Sequence, residues 1–472
     1  MKRVLDGWRS GKLKFILSIF WLLTVFTGFF GSTIFLVKVP GLPALYPFRV
    51  LLPVTTLLYM VWAVRQKRNP WKAASFAQRV CYVLCAILIV YSTVSLRWAI
   101  DFEFTFTLWI TLCFNLVFFA LALELCSNRK MFMMTVHCAL MATVIQIVMG
   151  MIEIVKGGFF TQRFFEVFFF FGQHLSSPAV SAGNPNDYSM MLVFMLALML
   201  LYWAWRGHER KFNWVPVVLI APVYFLIGAS YARLCELSFW TVIVPFVMYA
   251  LTSRSLAQRV LIPAVLLLAG TMAFFAYGEH VTQLQMDVIH EAIMMEAKAA
   301  LPENVTPEEN QLQNLPDEAV ENSMDEPVLE SSGAVRLDLL RHVWNCFVES
   351  RGMGVGLGNT AQLAKPTAPR RGGVWAIHCF LARMTADFGI WFLIPLLLIA
   401  FKMVLAGIEL VRRELTKRNR PGVLTGVMYL ASVLIYPIAS TAPGDAQNSM
   451  PMWLFLGGLV VFPALVQEAA DA

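Results

Sequence analysis

Long apolar runs, repeated along the whole chain, are the feature that most constrains how this sequence can fold. A transmembrane α-helix needs about 20 mostly apolar residues to cross the hydrocarbon core of a bilayer. Runs of about that length recur along the 472 residues, of which 58% are hydrophobic and only 14% are charged. So few charges could not cover the surface of several soluble domains. The sequence predicts an all-α polytopic integral membrane protein and excludes a cytosolic enzyme, a disordered protein and a disulfide scaffold.

The apolar runs predict about twelve transmembrane helices. The predicted spans lie near 15–37, 47–64, 79–96, 105–125, 131–154, 188–205, 214–229, 234–252, 260–277, 380–405, 423–440 and 450–466. The first run follows a basic N-terminus and is too long for a signal peptide, so we predict an uncleaved first span. An even number of spans places both termini on one side, and most Lys and Arg residues fall in the short connections of that side. The positive-inside rule then predicts that both termini are cytoplasmic.

One large outer loop divides the predicted membrane region. We predict a membrane domain over 1–277 with spans one to nine, an extracytoplasmic loop over 278–379 with short helices, and a second membrane domain over 380–472. Within the loop, the stretch 299–335 has nine acidic residues, no Lys or Arg, and four prolines. This composition is typical of a solvated, partly disordered insert.

The part of the loop that follows the acidic insert is basic and has helical periodicity. Apolar residues from Leu337 to Val348 recur at helical spacing. Arg336 and Arg341 lie five positions apart in this segment, with His342 beside the second. The pattern predicts an exposed helix that carries two guanidinium groups.

A glycine-rich run follows this helix. The segment RGMGVGLGN, residues 351–359, contains Gly352, Gly354, Gly356, Gly358 and Asn359. Such a run permits positive φ angles and lets backbone N–H groups approach an anion. A plain flexible turn explains the glycines equally well. The run does not fit a dinucleotide-binding motif, because no strand precedes it.

Two further residues are candidates for chemistry at the outer face. His378 opens the tenth predicted span, where a neutral imidazole could accept a proton from a hydroxyl. Cys379 is adjacent, but neighbouring residues on a helix point about 100° apart, which disfavours a Cys–His pair. Arg233 lies between spans seven and eight; an arginine there is either functional or snorkels to lipid headgroups.

Several motifs are absent from the sequence. It has no CxxC, no Asp-x-Asp and no P-loop, so zinc or redox motifs, metal-bound nucleotide sugars and ATP hydrolysis have no support. It has no basic soluble face, so we expect no nucleic-acid partner. The acids Glu124, Glu153 and Glu236 lie near span ends rather than at mid-membrane, which weakens a coupled-transporter interpretation.

The order of these elements resembles the O-antigen ligase and polymerase family, including teichuronic acid polymerase-like proteins. The resemblance runs from about Gly183 to Gly389 and rests on a Ser-Arg element, a late outer loop with Arg and GxGxGN, and a His that opens the next span. It implies an enzyme that needs no cofactor or metal. Such an enzyme transfers a glycan from undecaprenyl pyrophosphate to an acceptor hydroxyl at the outer face of the bacterial cytoplasmic membrane, with inversion at the anomeric carbon.

The resemblance also implies roles for particular residues. His378 corresponds to the family's catalytic base, and the pyrophosphate is expected to contact Arg233 and either Arg336 or Arg341. The glycine motif corresponds to Gly354, Gly356, Gly358 and Asn359. Two positions depart from the family pattern, because Cys379 replaces a common Asn and Tyr231 and Ala232 separate Ser230 from Arg233.

The resemblance leaves the acceptor open. A polymerase would use another lipid-linked glycan, whereas a ligase would use a lipid or a wall polymer. Three other functions remain as alternatives: a lipid-linked oligosaccharide transporter or flippase, a glycosyltransferase with a monophosphate-linked donor that uses Asp101 and Glu103, and a non-catalytic protein of envelope assembly.

Overall fold

The structure is a computed structural model, and it describes most of the predicted membrane region. The described residues are 2–31, 45–156, 167–170, 173–176, 178–180, 182, 184–206, 215–230, 232–250, 265, 268–272, 332–367, 377, 379–442 and 449–471. In these ranges the chain is helical apart from turns and one short antiparallel hairpin, formed by β1 (Val167–Phe170) and β2 (Gln173–Ser176). The predicted all-α membrane class is confirmed.

The second to sixth predicted spans correspond closely to helices, whereas the first helix lies earlier than the predicted span 15–37, whose last six residues are outside the described ranges. They are α1 (Lys2–Gly28), α2 (Pro47–Arg65), α3 (Pro70–Ala73), α4 (Phe76–Ser95), α5 (Phe102–Leu125), α6 (Arg129–Lys156), α7 (Pro185–Arg206), α8 (Val215–Ala229), α9 (Arg233–Ala250), α10 (Ser332–Glu349), α11 (Asn359–Ala364), α12 (Phe380–Phe388), α13 (Ile390–Thr416), α14 (Arg420–Ala439) and α15 (Met450–Asp471). Among the described residues, nine helices are long and apolar enough to cross a membrane, namely α1, α2, α4 to α7 and α13 to α15.

The span predictions fail or stay untested in the second half of the chain. The single helix predicted over 380–405 is wrong, because the chain breaks at Gly389 into α12 and α13. The seventh predicted span is helix α8, which has only 15 residues. The ninth, 260–277, lies mostly outside the described residues. The acidic insert lies outside them up to residue 331, and its last four residues are the first turn of α10 rather than disordered.

Local capping explains where several helices begin. The Ser75 hydroxyl accepts the Gln78 N–H while the Gln78 side chain accepts the Ser75 N–H, which forms a capping box before α4. The Asp101 carboxylate accepts the Phe104 N–H at 3.0 Å and caps α5. This role accounts for Asp101 without catalysis, which weakens the monophosphate-donor alternative.

Helix α7 lies at the centre of the bundle. Nearly every residue from Pro185 to Ala204 is buried. The helix packs against α6, α8, α9, α14 and α15. Its Phe194 ring stacks on Phe455 of α15 at 4.5 Å and on Tyr436 of α14 at 5.8 Å. Such stacked rings fix the relative position of three helices.

Small residues bring α13 and α14 close together. A Cβ atom added at Gly426 would lie 3.0 Å from the Val411 backbone nitrogen, and one at Gly407 would lie 2.4 Å from a Leu430 methyl group. Helices in lipid gain little from the hydrophobic effect between them, so close backbone contact of this kind stabilises the pair. This packing fixes the position of α13, which begins at Ile390 directly after Gly389.

Candidate functional site

The glycine run forms a closely packed loop at one end of the bundle. We call residues 351–359 the glycine loop, and the end where α4 finishes and α5 and α13 begin the loop end. The glycines of the glycine loop all have positive φ, with 89° at Gly354, 102° at Gly356 and 76° at Gly358. A Cβ atom at Gly354 would lie 2.5 Å from the Asp387 carbonyl oxygen, and one at Gly356 would lie 2.6 Å from Trp98 Nε1. The loop needs glycine for conformation and for space, so the flexible-turn interpretation is wrong.

The glycine loop pairs with the break between α12 and α13. Ile390 N donates to Gly352 O at 2.8 Å, and Val355 N and Gly356 N donate to Ala386 O and Asp387 O, each at 2.9 Å. The helix must break here because these backbone groups of α12 bond to the loop. The break therefore holds the loop against the start of a membrane span.

Replacing Gly389 by alanine is expected to lower stability by about 1–3 kcal/mol, the usual cost of a residue in a glycine-only conformation. Gly389 has φ 64° and ψ −146°, and an added Cβ atom would lie 2.1 Å from Gly352 O. The measurement is the apparent melting temperature of the purified protein in detergent. Gly11→Ala is the control, because a Cβ atom at Gly11 meets nothing within 4 Å. Equal melting temperatures for the two variants would contradict the packing described above.

The buried carboxylate of Asp387 is an anion that accepts backbone N–H groups from the end of the glycine loop and from α11. It accepts Gly358 N at 2.9 Å, Thr360 N at 3.2 Å and the Thr360 hydroxyl at 2.6 Å. The guanidinium of Arg383, one turn earlier in α12, lies 3.9 Å away and is also buried. Sequence reasoning missed this pair. An Arg and an Asp four positions apart in an apolar stretch were the signal that could have found it.

Asn359 and the turn after α4 fix the other side of the loop. The Asn359 amide donates to Val355 O at 2.9 Å and Trp98 O at 3.3 Å, and its oxygen accepts Ile100 N at 3.1 Å. The Tyr91 hydroxyl donates to Gly354 O at 2.9 Å. The backbone N–H groups of Val355, Gly356 and Gly358 are likewise bonded within the protein. The loop is therefore a rigid support and does not present free N–H donors to a ligand.

Helix α10 packs on this support and presents its two arginines to the outside. Leu339, Val343 and Cys346 form its buried face, next to Ile377 and Ala386. Arg336 and Arg341 are exposed. The helix thus places both predicted guanidinium groups at the surface beside the loop.

A cysteine and a histidine are in contact on α10. His342 Nε2 lies 3.1 Å from Thr360 O and 3.5 Å from Cys346 Sγ. Because a carbonyl oxygen only accepts, Nε2 must carry the proton and cannot deprotonate the thiol. Burial, with smaller contributions from Glu349 and Asp387, raises the pKa of Cys346 to about 11. The thiol therefore stays protonated at neutral pH, and His342 connects α10 to α11, directly after the glycine loop.

Arg233 lies at the same end of the bundle. It is the first residue of α9 and is exposed. The preceding helix α8 ends nearby, and its Leu226 approaches Gly150 near the end of α6. Ser230 is buried and its hydroxyl donates to Leu226 O at 2.7 Å, so its proton is used at the end of α8.

His378 itself lies outside the described residues, but its neighbours are described. Ile377 is fully buried, and Cys379 directly precedes α12. Cys379 has a φ of 137°, which non-glycine residues rarely adopt. Burial raises the pKa of its thiol, so a cysteine thiolate is not favoured at this position either.

The buried acids elsewhere have structural partners. The Glu124 carboxylate accepts the Tyr59 hydroxyl at 3.0 Å and lies 3.1 Å from Arg68. Glu153 accepts the N–H groups of Ala179 and Val180. Both acids lie near helix ends, which matches the sequence argument against a coupled transporter. Among the described residues, no group of three or more His, Cys, Asp or Glu side chains is placed to hold a metal ion.

Comparison with known proteins shows a partial similarity to a characterised biosynthetic protein. No protein-family model matches this chain. The teichuronic acid biosynthesis protein TuaE of Bacillus subtilis (strain 168) is 23% identical to it over 126 residues, which are 26% of this chain. The match spans only about a quarter (25%) of that relative's length. The chain is therefore a polytopic helical membrane protein with a local similarity to a protein of teichuronic acid biosynthesis.

Proposed function

We propose that this protein acts in surface polysaccharide biosynthesis, and that it transfers a glycan from undecaprenyl pyrophosphate to an acceptor hydroxyl. The observation that carries the proposal is that three predicted arginines are exposed on helices that lie at or beside the loop end. Arg233, Arg336 and Arg341 are all exposed, and α12 begins at the loop end two residues after His378. The similarity to TuaE supports the polysaccharide part of the proposal.

The residue types suit the chemistry of this transfer. The acceptor oxygen attacks the anomeric carbon, and the bond from that carbon to the pyrophosphate oxygen breaks. The electron pair leaves with undecaprenyl pyrophosphate, and His378 takes the acceptor proton. Guanidinium groups pair bidentately with phosphate oxygens and stabilise the charge that develops on the leaving group. A single displacement inverts the anomeric carbon.

The rigid loop fits this proposal as a support. The glycine loop is hydrogen-bonded to α4, to Ile100 just before α5 and to α12, and α10 contacts the adjoining helix α11 through His342. Catalysis by fixed charges depends on groups that do not reorganise during the reaction. We assign Gly354, Gly356, Gly358 and Asn359 to holding α10 and the residues after the loop in place, rather than to direct contact with phosphate.

Replacing Arg341 by alanine tests the pyrophosphate assignment. A hydrogen bond to a charged group contributes about 1.5–3 kcal/mol. Its loss corresponds to about ten- to hundredfold slower transfer. The measurement is the chain length of surface polysaccharide on gels, from cells that make equal amounts of each variant. Arg412→Ala is the matched control, because Arg412 is an exposed helical arginine at the opposite end of α13.

The product that accumulates identifies the reaction. A lipid-linked single repeat in the Arg341→Ala cells indicates a polymerase, and full-length lipid-linked polymer without an acceptor indicates a ligase. Repeat units held on the cytoplasmic side of the membrane indicate a flippase instead. Wild-type polymer at normal protein level would refute the assignment of Arg341, and the same experiment with Arg336→Ala tests the alternative arginine.

A further inference from the structure

Helix α10 has a second apolar face that no described residue covers. The side chains on it are Leu337, Leu340, Trp344 and Val348, which are 51%, 40%, 63% and 53% exposed. Their spacing of three, four and four residues places them in one stripe along the helix. The buried face of Leu339, Val343 and Cys346 lies on the other side. We call the exposed set the outer stripe.

Basic residues lie close to the outer stripe on both sides, and acidic residues lie farther away. At about 100° per residue, Arg341 lies roughly 60° from the centre of the stripe on one side, and Arg336 roughly 80° on the other. The acids Asp338 and Glu349 lie more than about 100° away by the same measure. An apolar stripe flanked by arginines matches a surface with an apolar interior and anionic headgroups.

The outer stripe also adjoins the exposed apolar surface of a candidate membrane span. The chain leaves α10 and reaches Gly352, whose carbonyl oxygen accepts the N–H of Ile390 at the start of α13. Exposed apolar side chains continue from Met353 along that candidate span through Trp391, Ile394 and Leu397. This continuity favours lipid as the occupant over a soluble partner or a second copy of the chain.

We propose that α10 is an interfacial helix whose outer stripe inserts into the headgroup–acyl boundary of the bilayer at the loop end. Trp344 suits this depth because its ring is apolar with one polar edge, and tryptophan is enriched at this boundary. Arg341 and Arg336 flank the stripe and so lie at the level of the headgroup phosphates. The inference rests on the helix and the span beside it, and it does not depend on the proposed function.

The test places a nitroxide label on each side of α10 in the full-length protein. Val348→Cys reports on the outer stripe, and Asn345→Cys, also exposed, reports on the polar side. Both variants are reconstituted in nanodiscs of phosphatidylethanolamine and phosphatidylglycerol. The unsubstituted chain, labelled in parallel, gives the background of its eight native cysteines.

The expected result is a difference in collision partners. Oxygen, which concentrates in the bilayer, should relax the label at 348 more strongly than a water-soluble nickel chelate does, and the order should reverse at 345. Equal access of the chelate to both labels would place the stripe in water and overturn the proposal. Protection of the label at 348 from both reagents would show a covering protein, either a second copy or a partner, and would overturn it as well. Trp344→Cys repeats the measurement at a second position of the stripe.

Discussion

Replacing His378 by alanine is expected to abolish polymer formation while the protein remains in the membrane at its normal level. Loss of a general base typically slows a reaction by about 10²–10⁴-fold. Nothing else on the acceptor side of the proposed mechanism removes the hydroxyl proton. The measurement is surface polysaccharide on gels, combined with quantification of lipid-linked intermediates.

The neighbouring cysteine provides a sharp control for His378. Cys379→Ser keeps the size of the side chain and the unusual backbone position, and the raised pKa of the thiol argues against a nucleophilic role. We expect this variant to retain transfer within a few-fold of the wild type. Loss of polymer in Cys379→Ser together with full activity in His378→Ala would show that Cys379 and not His378 is needed for transfer. This result would refute the assignment of His378 as the base.

Replacing Asp387 by alanine is expected to lower the free energy of unfolding by about 3–5 kcal/mol, the usual cost of removing one partner of a buried ion pair. The change leaves the Arg383 charge and the donors of Gly358 and Thr360 without the carboxylate that they contact. The apparent melting temperature of the purified protein in detergent measures the effect. Glu409→Ala, an exposed acid on α13, is the matched control.

Two smaller substitutions separate the contributions around Asp387. Thr360→Val removes only the hydroxyl donor and should cost about 1 kcal/mol. Asp387→Asn keeps one acceptor oxygen but loses the charge, so it should fall between the wild type and Asp387→Ala. A melting temperature for Asp387→Ala that equals that of Glu409→Ala would show that the loop does not depend on this carboxylate.

The sequence predicted the location of most spans because the bilayer leaves few choices. Backbone polar groups in lipid must bond within their own segment, so each run of sufficient length becomes a helix. The prediction of a single helix over 380–405 was wrong because the composition of this segment does not indicate the break at Gly389. The segment is apolar enough to cross a membrane, but the bonds from Val355, Gly356 and Ile390 across the break stabilise two helices instead.

The candidate site was predictable only in part. The glycine loop and the arginines of α10 stood out in the sequence because their residue types are unusual beside a membrane. Asp387 did not, since its partners Gly358 and Thr360 lie almost 30 positions earlier in the chain. The loop N–H groups were expected to approach an anion, and the structure supplies that anion from within the protein.

The sequence by itself determined that this chain crosses a membrane many times, and approximately where. Only the tertiary structure decided which helices face lipid and which are enclosed by protein. Helix α13 is the most apolar of the nine candidate spans, yet only 28% of it is buried, whereas 89% of the less apolar α7 is buried. Lipid tails are as apolar as leucine side chains, so hydrophobicity does not distinguish the two environments. Packing of small residues, stacked aromatic rings and a few buried polar contacts make that choice.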